Sequence, residues 1–229
     1  MKPQPQVLYI DDAASNLFLV ELIAQDHNID LETAENGLEG IEKVKAKEYT
    51  LILSDIRLPD VSGYEILKQT RADSLNVFTP VIAFTADVTV ATREKILEHG
   101  FTDYLTKPFN ADDLVKRFSV YLAQAVLTPD LSYYTTYIKD DSQLLKAKKM
   151  ILIDFQDFEK KFCKAWMQRD EQEMKDQLHK IEFVCENLKL ASLLDSIKEF
   201  KANTESMAVR ELAVMKIKRD LLLLYKNMS

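Results

Sequence analysis

Five charged or polar residues in the first half of the chain stand where short apolar runs end. Each run is typical of a buried parallel strand, and helical patterns separate the runs. Because the carboxyl ends of parallel strands meet at one edge of a sheet, we expect the five side chains to share one crevice. Three carboxylates, a hydroxyl and an ammonium in one crevice predict a site for metal-assisted phosphoryl transfer. The five residues are Asp11, Asp12, Asp55, Thr85 and Lys107.

Each of these residue types has a role in such chemistry. Asp11 and Asp12 would hold Mg²⁺ together with Asp55, because Mg²⁺ prefers oxygen ligands in an octahedron. Asp55 would act as the nucleophile and become an acyl phosphate. The Lys107 ammonium would pair with one phosphoryl oxygen as a compact point charge, and the Thr85 hydroxyl would donate to another.

The elements that must position these residues are predicted by alternating strand and helix patterns up to about residue 123. Five βα repeats of this kind predict an α/β fold with a doubly wound, five-stranded parallel sheet, which we assign to residues 1–125. Pro80 opens the predicted fourth strand, and Gly100 is the expected residue after a helix end. The bond between Lys107 and Pro108 is a candidate cis peptide.

The pattern changes at residues 126–130, which we predict to be a linker. Beyond them the chain has no glycine and no convincing strand, so residues 131–229 are predicted to form an all-α antiparallel bundle. A short helix is expected over residues 131–137, and a long one capped by Asp141 or Ser142 should follow. Another helix carries an inward-facing apolar stripe of Met174, Leu178, Ile181, Cys185 and Leu188.

Composition excludes several classes of protein. The net charge of −7 argues against a nucleic-acid-binding face, which is usually basic. No apolar run approaches the roughly 20 residues that span a bilayer, and the first residues lack the apolar core of a signal peptide. Cys163 and Cys185 have no metal-ligand neighbours and are expected to be buried thiols. We therefore expect a cytoplasmic protein without membrane or nucleic-acid partners.

Four segments carry the predicted site residues: YIDDAASN (9–16), SDIRLPDVSGYEIL (54–67), TPVIAFTAD (79–87) and GFTDYLTKPF (100–109). With them, residues 5–124 resemble the response-regulator receiver domains of two-component signalling. The resemblance implies a flavodoxin-like (CheY-like) fold and Mg²⁺-dependent phosphorylation of Asp55 by a sensor histidine kinase or a phosphorelay protein. It also implies no enzymatic activity beyond self-catalysed phosphoryl transfer and dephosphorylation.

The same resemblance implies three further roles. The backbone carbonyl of Arg57 would be a metal ligand. Thr85 and Tyr104 would act as switch residues, with Thr85 drawn toward the phosphoryl group and Tyr104 rotating inward.

Two segments, 130–155 and 169–193, resemble histidine-containing phosphotransfer (HPt) domains, helical bundles with an exposed phosphoacceptor histidine. The resemblance places that histidine at His179. The signature around it is altered, because Glu182 stands where the family has a lysine and Phe183 where it has a glycine. Glu182 would repel a phosphoryl group, and an outward Phe183 is a better contact residue than a core residue.

Three hypotheses for the second domain follow. His179 could carry phosphoryl groups in a relay, or it could remain on a bundle that has lost transfer and serves for docking; we favour the second. In that case His179, Glu182 and Phe183 would form the docking face for a kinase, another receiver domain or the receiver domain of the same chain. The third hypothesis is phosphorylation-dependent homodimerisation through the exposed helix faces.

Overall fold

The structure is a computed structural model that describes residues 4–72, 75–87, 89–123, 127, 129–132, 138 and 140–228. The chain forms two compact units, Met1–Ala123 and Gln124–Ser229. Among the described helices, none combines the length and the apolar character needed to cross a membrane.

The first unit is built on a five-stranded sheet in which every neighbouring pair is parallel. The strand order is β2-β1-β3-β4-β5, so the chain winds outward in both directions from β1. β3 and β4 are buried along their whole length, which is why they read as continuous apolar runs. The strands are β1 (Gln6–Ile10), β2 (Asp30–Ala34), β3 (Leu51–Asp55), β4 (Val81–Thr85) and β5 (Asp103–Thr106).

A helix follows each strand, as the periodicity predicts. Asn36 caps the second helix by accepting from the Glu39 amide. Gly100 follows the fourth helix with a φ of +101°, where an L side chain would be strained. The helices are α1 (Ala14–Asp26), α2 (Gly37–Ala46), α3 (Gly63–Arg71), α4 (Val90–Glu98) and α5 (Ala111–Tyr121).

Alternate strand residues and one set of helices enclose a continuous apolar core. Gly63 opens α3 directly beside the end of β3, and a Cβ there would collide with the Asp55 carbonyl oxygen and lie 2.9 Å from Ile56 Cα. Only glycine therefore lets α3 begin this close to the end of β3. The core includes Leu8, Ile10, Ile52, Ala83, Val44, Ile66 and Ile96.

The second unit consists of long helices joined by short connections. The first long helix is capped by Asp140, which accepts from the Gln143 amide, and not by the predicted Asp141 or Ser142. The two predicted caps were wrong by one and two residues, because aspartate and serine both fit the capping pattern and the three residues are adjacent. The helices are α6 (Asp141–Gln168), α7 (Glu171–Asn187), α8 (Ala191–Ala202) and α9 (Met207–Met228).

The predicted apolar stripe of α7 is buried, as expected from its helical spacing. Cys185 belongs to this stripe, and both cysteines are free and buried. The stripe packs into a core with Phe155, Phe158, Phe162, Ile197, Phe200 and Leu221 among its buried members.

Two residues from the predicted linker contact helices of the second unit. The Leu127 carbonyl accepts from the Asn227 side chain, and the Asp130 amide donates to the Leu188 carbonyl at 2.9 Å. The short helix predicted over residues 131–137 lies mostly outside the described residues, which omit 133–137.

Candidate functional site

Three carboxylates meet where β1 and β3 end. Asp11 and Asp12 follow β1, and Asp55 is the last residue of β3. One oxygen from each carboxylate lies within 4.8 Å of the others. Asp11 and Asp55 are buried, whereas Asp12 is exposed, so the cluster opens to solvent on one side. The parallel topology thus brings together the acidic residues that the sequence predicted.

Asp11 is held by a dense set of donors. Tyr9 donates its hydroxyl to Oδ2 at 2.6 Å, and the Asn16 amide and the Ala13 backbone each donate to Oδ1 at 3.0 Å. Burial alone would raise the pKa of Asp11, but hydrogen bonds from Lys107, Tyr9, Asn16 and Ala13 outweigh it and hold the pKa below the ordinary value. Asp11 is therefore an ionised carboxylate with a defined orientation.

Lys107 joins two members of the cluster. Its ammonium donates to Asp11 Oδ2 at 2.6 Å and also contacts Asp55 Oδ2. Burial would lower the pKa of Lys107, but the bonds to Asp11 and Asp55 outweigh it and raise the pKa. The Lys107-Pro108 peptide is cis, as predicted. Asp55 Oδ1 accepts from the Arg57 amide at 2.8 Å, so both of its oxygens are oriented.

The composition of this cluster fits a divalent cation. Carboxylate oxygens are the ligands that Mg²⁺ prefers. Three carboxylates and the Lys107 ammonium leave a formal charge of two negative units, which a divalent cation balances. Asp11, Asp12 and Asp55 are thus a set of residues that could hold Mg²⁺.

Thr85, the last residue of β4, lies beside Asp55 in the sheet but forms its described hydrogen bonds with the following loop. Its Oγ1 accepts from the Asp87 amide at 3.1 Å and lies 3.5 Å from the Asp87 carbonyl oxygen. Phe84, the neighbour of Thr85, pairs with Asp55 across β3 and β4. Among the described hydrogen bonds, those of the Thr85 hydroxyl are therefore with the loop after β4 and not with Asp55.

Tyr104 lies on β5, opposite Ala83 of β4. Its ring is partly buried against the core, and the Arg93 guanidinium carbon lies 5.5 Å from the ring centroid. The structure therefore places the predicted aromatic switch residue one strand away from Thr85 and in contact with α4.

The sequence analysis missed residues that order this site. Tyr9 was treated only as part of an apolar strand, although its buried hydroxyl bonds Asp11. Asn16 stands five residues after Asp11 in the first turn of α1, a spacing that could have suggested the contact. Asp60 was also missed; it accepts from the Gly37 and Leu38 amides at 2.9 and 2.8 Å and joins the loop after β3 to the start of α2.

A family model described as "Response regulator receiver domain" matches residues 7–119. The match spans the acidic cluster, Lys107 and all five strands. The first unit is a response regulator receiver domain. Its sheet order and its acidic crevice are those of the CheY-like, flavodoxin-like fold that the motifs predicted.

Known proteins resemble this receiver domain closely in sequence. The cell cycle transcriptional regulator CtrA of Caulobacter vibrioides is 33% identical over 112 residues, which cover 49% of this chain and 48% of that protein. The cell cycle response regulator CtrA of Brucella abortus is 33% identical over 129 residues, which cover 54% and 55%. The chain thus spans about half the length of the curated relatives that it matches.

A solved structure agrees with the fold. The chemotaxis response regulator CheY4 of Vibrio cholerae is 30% identical, with a TM-score of 0.50, and the match covers 52% of this chain and 99% of that one. The chain therefore contains a receiver domain of the two-component kind, and receiver domains as a class are not classical enzymes.

A second candidate site lies on α7, on the side away from its buried stripe. His179 is exposed, and Phe183, one turn later, leaves 64% of its surface exposed. The expected repulsion from Glu182 is modified, because the Lys201 ammonium of α8 contacts both Glu182 oxygens at 2.9 Å. The face therefore combines a histidine, an ion pair and an unburied aromatic ring.

Proposed function

We propose that the receiver domain accepts a phosphoryl group on Asp55 with Mg²⁺, and that the helical unit passes the signal on through protein–protein interaction. The observation that carries the first part is the Lys107 ammonium bridging Asp11 and Asp55 within the three-carboxylate cluster. The proposed donors are a sensor histidine kinase or a phosphorelay protein. Receiver domains as a class interact with such proteins.

In the transfer step, an Asp55 oxygen forms a bond to phosphorus while the bond between phosphorus and the donor atom breaks. The electron pair of the broken bond leaves with the donor, which takes up a proton. Mg²⁺, held by Asp11, Asp12 and Asp55 with the Arg57 carbonyl, would offset charge on the transferring group. Lys107 would then pair with a phosphoryl oxygen.

The phosphorylated state would change the contacts of Thr85. A phosphoryl group on Asp55 adds negative charge and acceptor oxygens beside the end of β4. We expect the Thr85 hydroxyl to leave the Asp87 backbone and donate to one of these oxygens. Tyr104 would then move toward the space that Thr85 vacates, and the surface formed by α4 and β5 would change.

In the second unit, the HPt-like face of α7 supports a docking role. Phe183 would be the apolar anchor and the Glu182–Lys201 ion pair the polar rim. The occupant would be a kinase or another receiver domain, or a second copy in a homodimer. No nucleic-acid partner enters this proposal, because the chain carries a net charge of −7.

The test is phosphorylation with phosphoramidate and Mg²⁺, followed by intact mass and phosphate-affinity electrophoresis. We expect one base-labile phosphoryl group in the wild type and in the control Asp26→Asn, an exposed carboxylate at the far end of α1. Asp55→Asn should remain unlabelled. Equal labelling of Asp55→Asn would reject Asp55 as the acceptor.

Two observations support the relay alternative: His179 is exposed, and Glu182 is paired with Lys201. The same labelling, repeated with a phosphorylated receiver or HPt donor, distinguishes the relay hypothesis from the docking hypothesis. An acid-labile, base-stable group that is lost in His179→Ala would establish a relay. If docking alone operates, His179→Ala behaves as wild type while Phe183→Asp weakens partner binding.

A further inference from the structure

The first turn of α4 is tied to the loop that holds the Thr85 hydroxyl. The Asp87 carboxylate accepts from the Thr89 amide at 2.9 Å and from the Thr92 hydroxyl at 2.7 Å. The Asp87 amide in turn donates to Thr85 Oγ1 at 3.1 Å. The start of α4 and the Thr85 hydroxyl are therefore linked through one residue.

The next residue of α4, Arg93, contacts Tyr104. Its guanidinium carbon lies 5.5 Å from the ring centroid, within the range of a cation–π interaction. Arg93 Nε is removed from water and has no hydrogen-bond partner among the residues that the structure describes. A buried N–H without an acceptor is unfavourable, so the contact with the Tyr104 ring is the favourable interaction that the structure describes for this guanidinium.

The first turn of α4 is therefore linked to Thr85 through Asp87 and contacts Tyr104 directly through Arg93. We infer that Arg93 is a positioning residue that holds Tyr104 against α4 in the unphosphorylated receiver domain and so opposes the switched state. This inference rests on the proposed function, in which Thr85 and Tyr104 move when Asp55 is phosphorylated. The Thr85–Asp87 bond and the Arg93–Tyr104 interaction both exist in the present arrangement and would break on switching, so both stabilise the unswitched state.

The sign of the effect distinguishes positioning from a general contribution to folding. Removing the guanidinium removes an interaction that only the unswitched state has, so the conformational equilibrium moves toward the switched state. A side chain that serves only the stability of α4 would lower the unfolding temperature without strengthening binding of a phosphoryl mimic.

The experiment measures the affinity of the full chain for beryllofluoride, a phosphoryl mimic, with Mg²⁺ present. Fluorotyrosine NMR reports the ring environments. Arg93→Ala should bind about threefold to tenfold more tightly than wild type, the range expected for a cation–π contact. Arg93→Lys, which returns a cation above the ring, should restore the affinity toward the wild-type value.

Lys95→Ala is the matched control, because Lys95 lies on the same helix with its ammonium 5.8 Å from a different ring, that of Tyr64. Its affinity should equal that of wild type. If the wild type binds the mimic and Arg93→Ala binds it with equal or lower affinity, the inference about Arg93 is wrong while the proposed function stands. An equal gain in affinity in Lys95→Ala would also contradict only the inference about Arg93. A wild type that neither binds the mimic nor becomes phosphorylated overturns the proposed function as well.

Discussion

Asp12 is the exposed member of the acidic cluster, and its charge affects the stability of the metal-free fold. Asp11 and Asp55 share the Lys107 ammonium, whereas Asp12 adds a third like charge beside them. Like charges held together for function commonly lower the stability of the metal-free fold. A divalent cation that binds only the folded state should reverse this effect.

We therefore predict that Mg²⁺ raises the unfolding temperature of the wild type. At a Mg²⁺ concentration of 100 times the dissociation constant, the free energy of unfolding should rise by about 2.7 kcal/mol. Asp12→Asn should be as stable as metal-free wild type or more stable, and should lose the response to Mg²⁺. Scanning calorimetry with MgCl₂ or EDTA measures both effects, and Asp26→Asn is the control. A full Mg²⁺ response in Asp12→Asn would contradict the assignment.

At the scale of elements, one side chain joins the four described helices of the second unit. Arg210 of α9 is buried and donates to the Glu171 carboxylate in the first turn of α7 at 2.6 and 3.0 Å. Its guanidinium carbon lies 4.2 Å from the ring centroid of Phe200 on α8 and 5.5 Å from that of Trp166 on α6. The Arg210 guanidinium thus joins these helices through an ion pair, hydrogen bonds and contacts with two aromatic rings.

Arg210→Met keeps most of the side-chain volume but removes the guanidinium that pairs with Glu171. We therefore predict that the free energy of unfolding falls by about 1.5 to 3 kcal/mol. Urea unfolding followed by the fluorescence of Trp166 measures this change. Lys198→Met, at an exposed position on α8, should have little effect. If Arg210→Met is as stable as the wild type, the guanidinium of Arg210 contributes nothing to the free energy of unfolding.

The same pair predicts acid sensitivity. The hydrogen bond from Arg210 lowers the pKa of Glu171, despite a smaller opposing effect of burial. Stability from this carboxylate is therefore complete above the ordinary glutamate value of 4.5 and is lost as the pH falls through the lowered pKa. Glu171→Gln should flatten the decline in stability below about pH 4.5, with the same fluorescence readout.

At the scale of the whole molecule, the natural reporters are concentrated in the second unit. Trp166, Cys163 and Cys185 are the only residues of their types, and all three lie on its helices. Both thiols are buried, and burial, followed by the charges of Glu182 and Glu186, raises the pKa of Cys185. Thiol reactivity should therefore report unfolding of this unit.

We predict that a disulfide reagent labels the native chain about 10³-fold or more slowly than the urea-unfolded chain. The labelled fraction should rise with urea in the same range as the change in Trp166 fluorescence. The Cys163→Ser and Cys185→Ser variants assign the two rates. Rapid labelling of either thiol without loss of the fluorescence signal would show local opening instead.

The amino-acid pattern was enough to predict the strands and helices of the receiver domain and the acidic residues of its site. Apolar runs with a strand period, separated by helical patterns, specify βα repeats, and parallel topology then brings their carboxyl ends together. Asp11, Asp12 and Asp55 therefore needed no three-dimensional information to be grouped. The buried stripe of α7, including Leu178 and Ile181, followed from helical spacing in the same way.

The pairing of polar groups could be seen only once the elements were packed together. The bridge from Lys107 to Asp11 crosses 96 residues, and the contacts Glu182–Lys201 and Arg93–Tyr104 join different elements. Periodicity identifies the face on which a side chain lies, but a hydrogen bond or ion pair also requires a distance near 3 Å and a suitable rotamer. Packing between elements sets both, and for that reason the partners of these residues lay beyond what the sequence could predict.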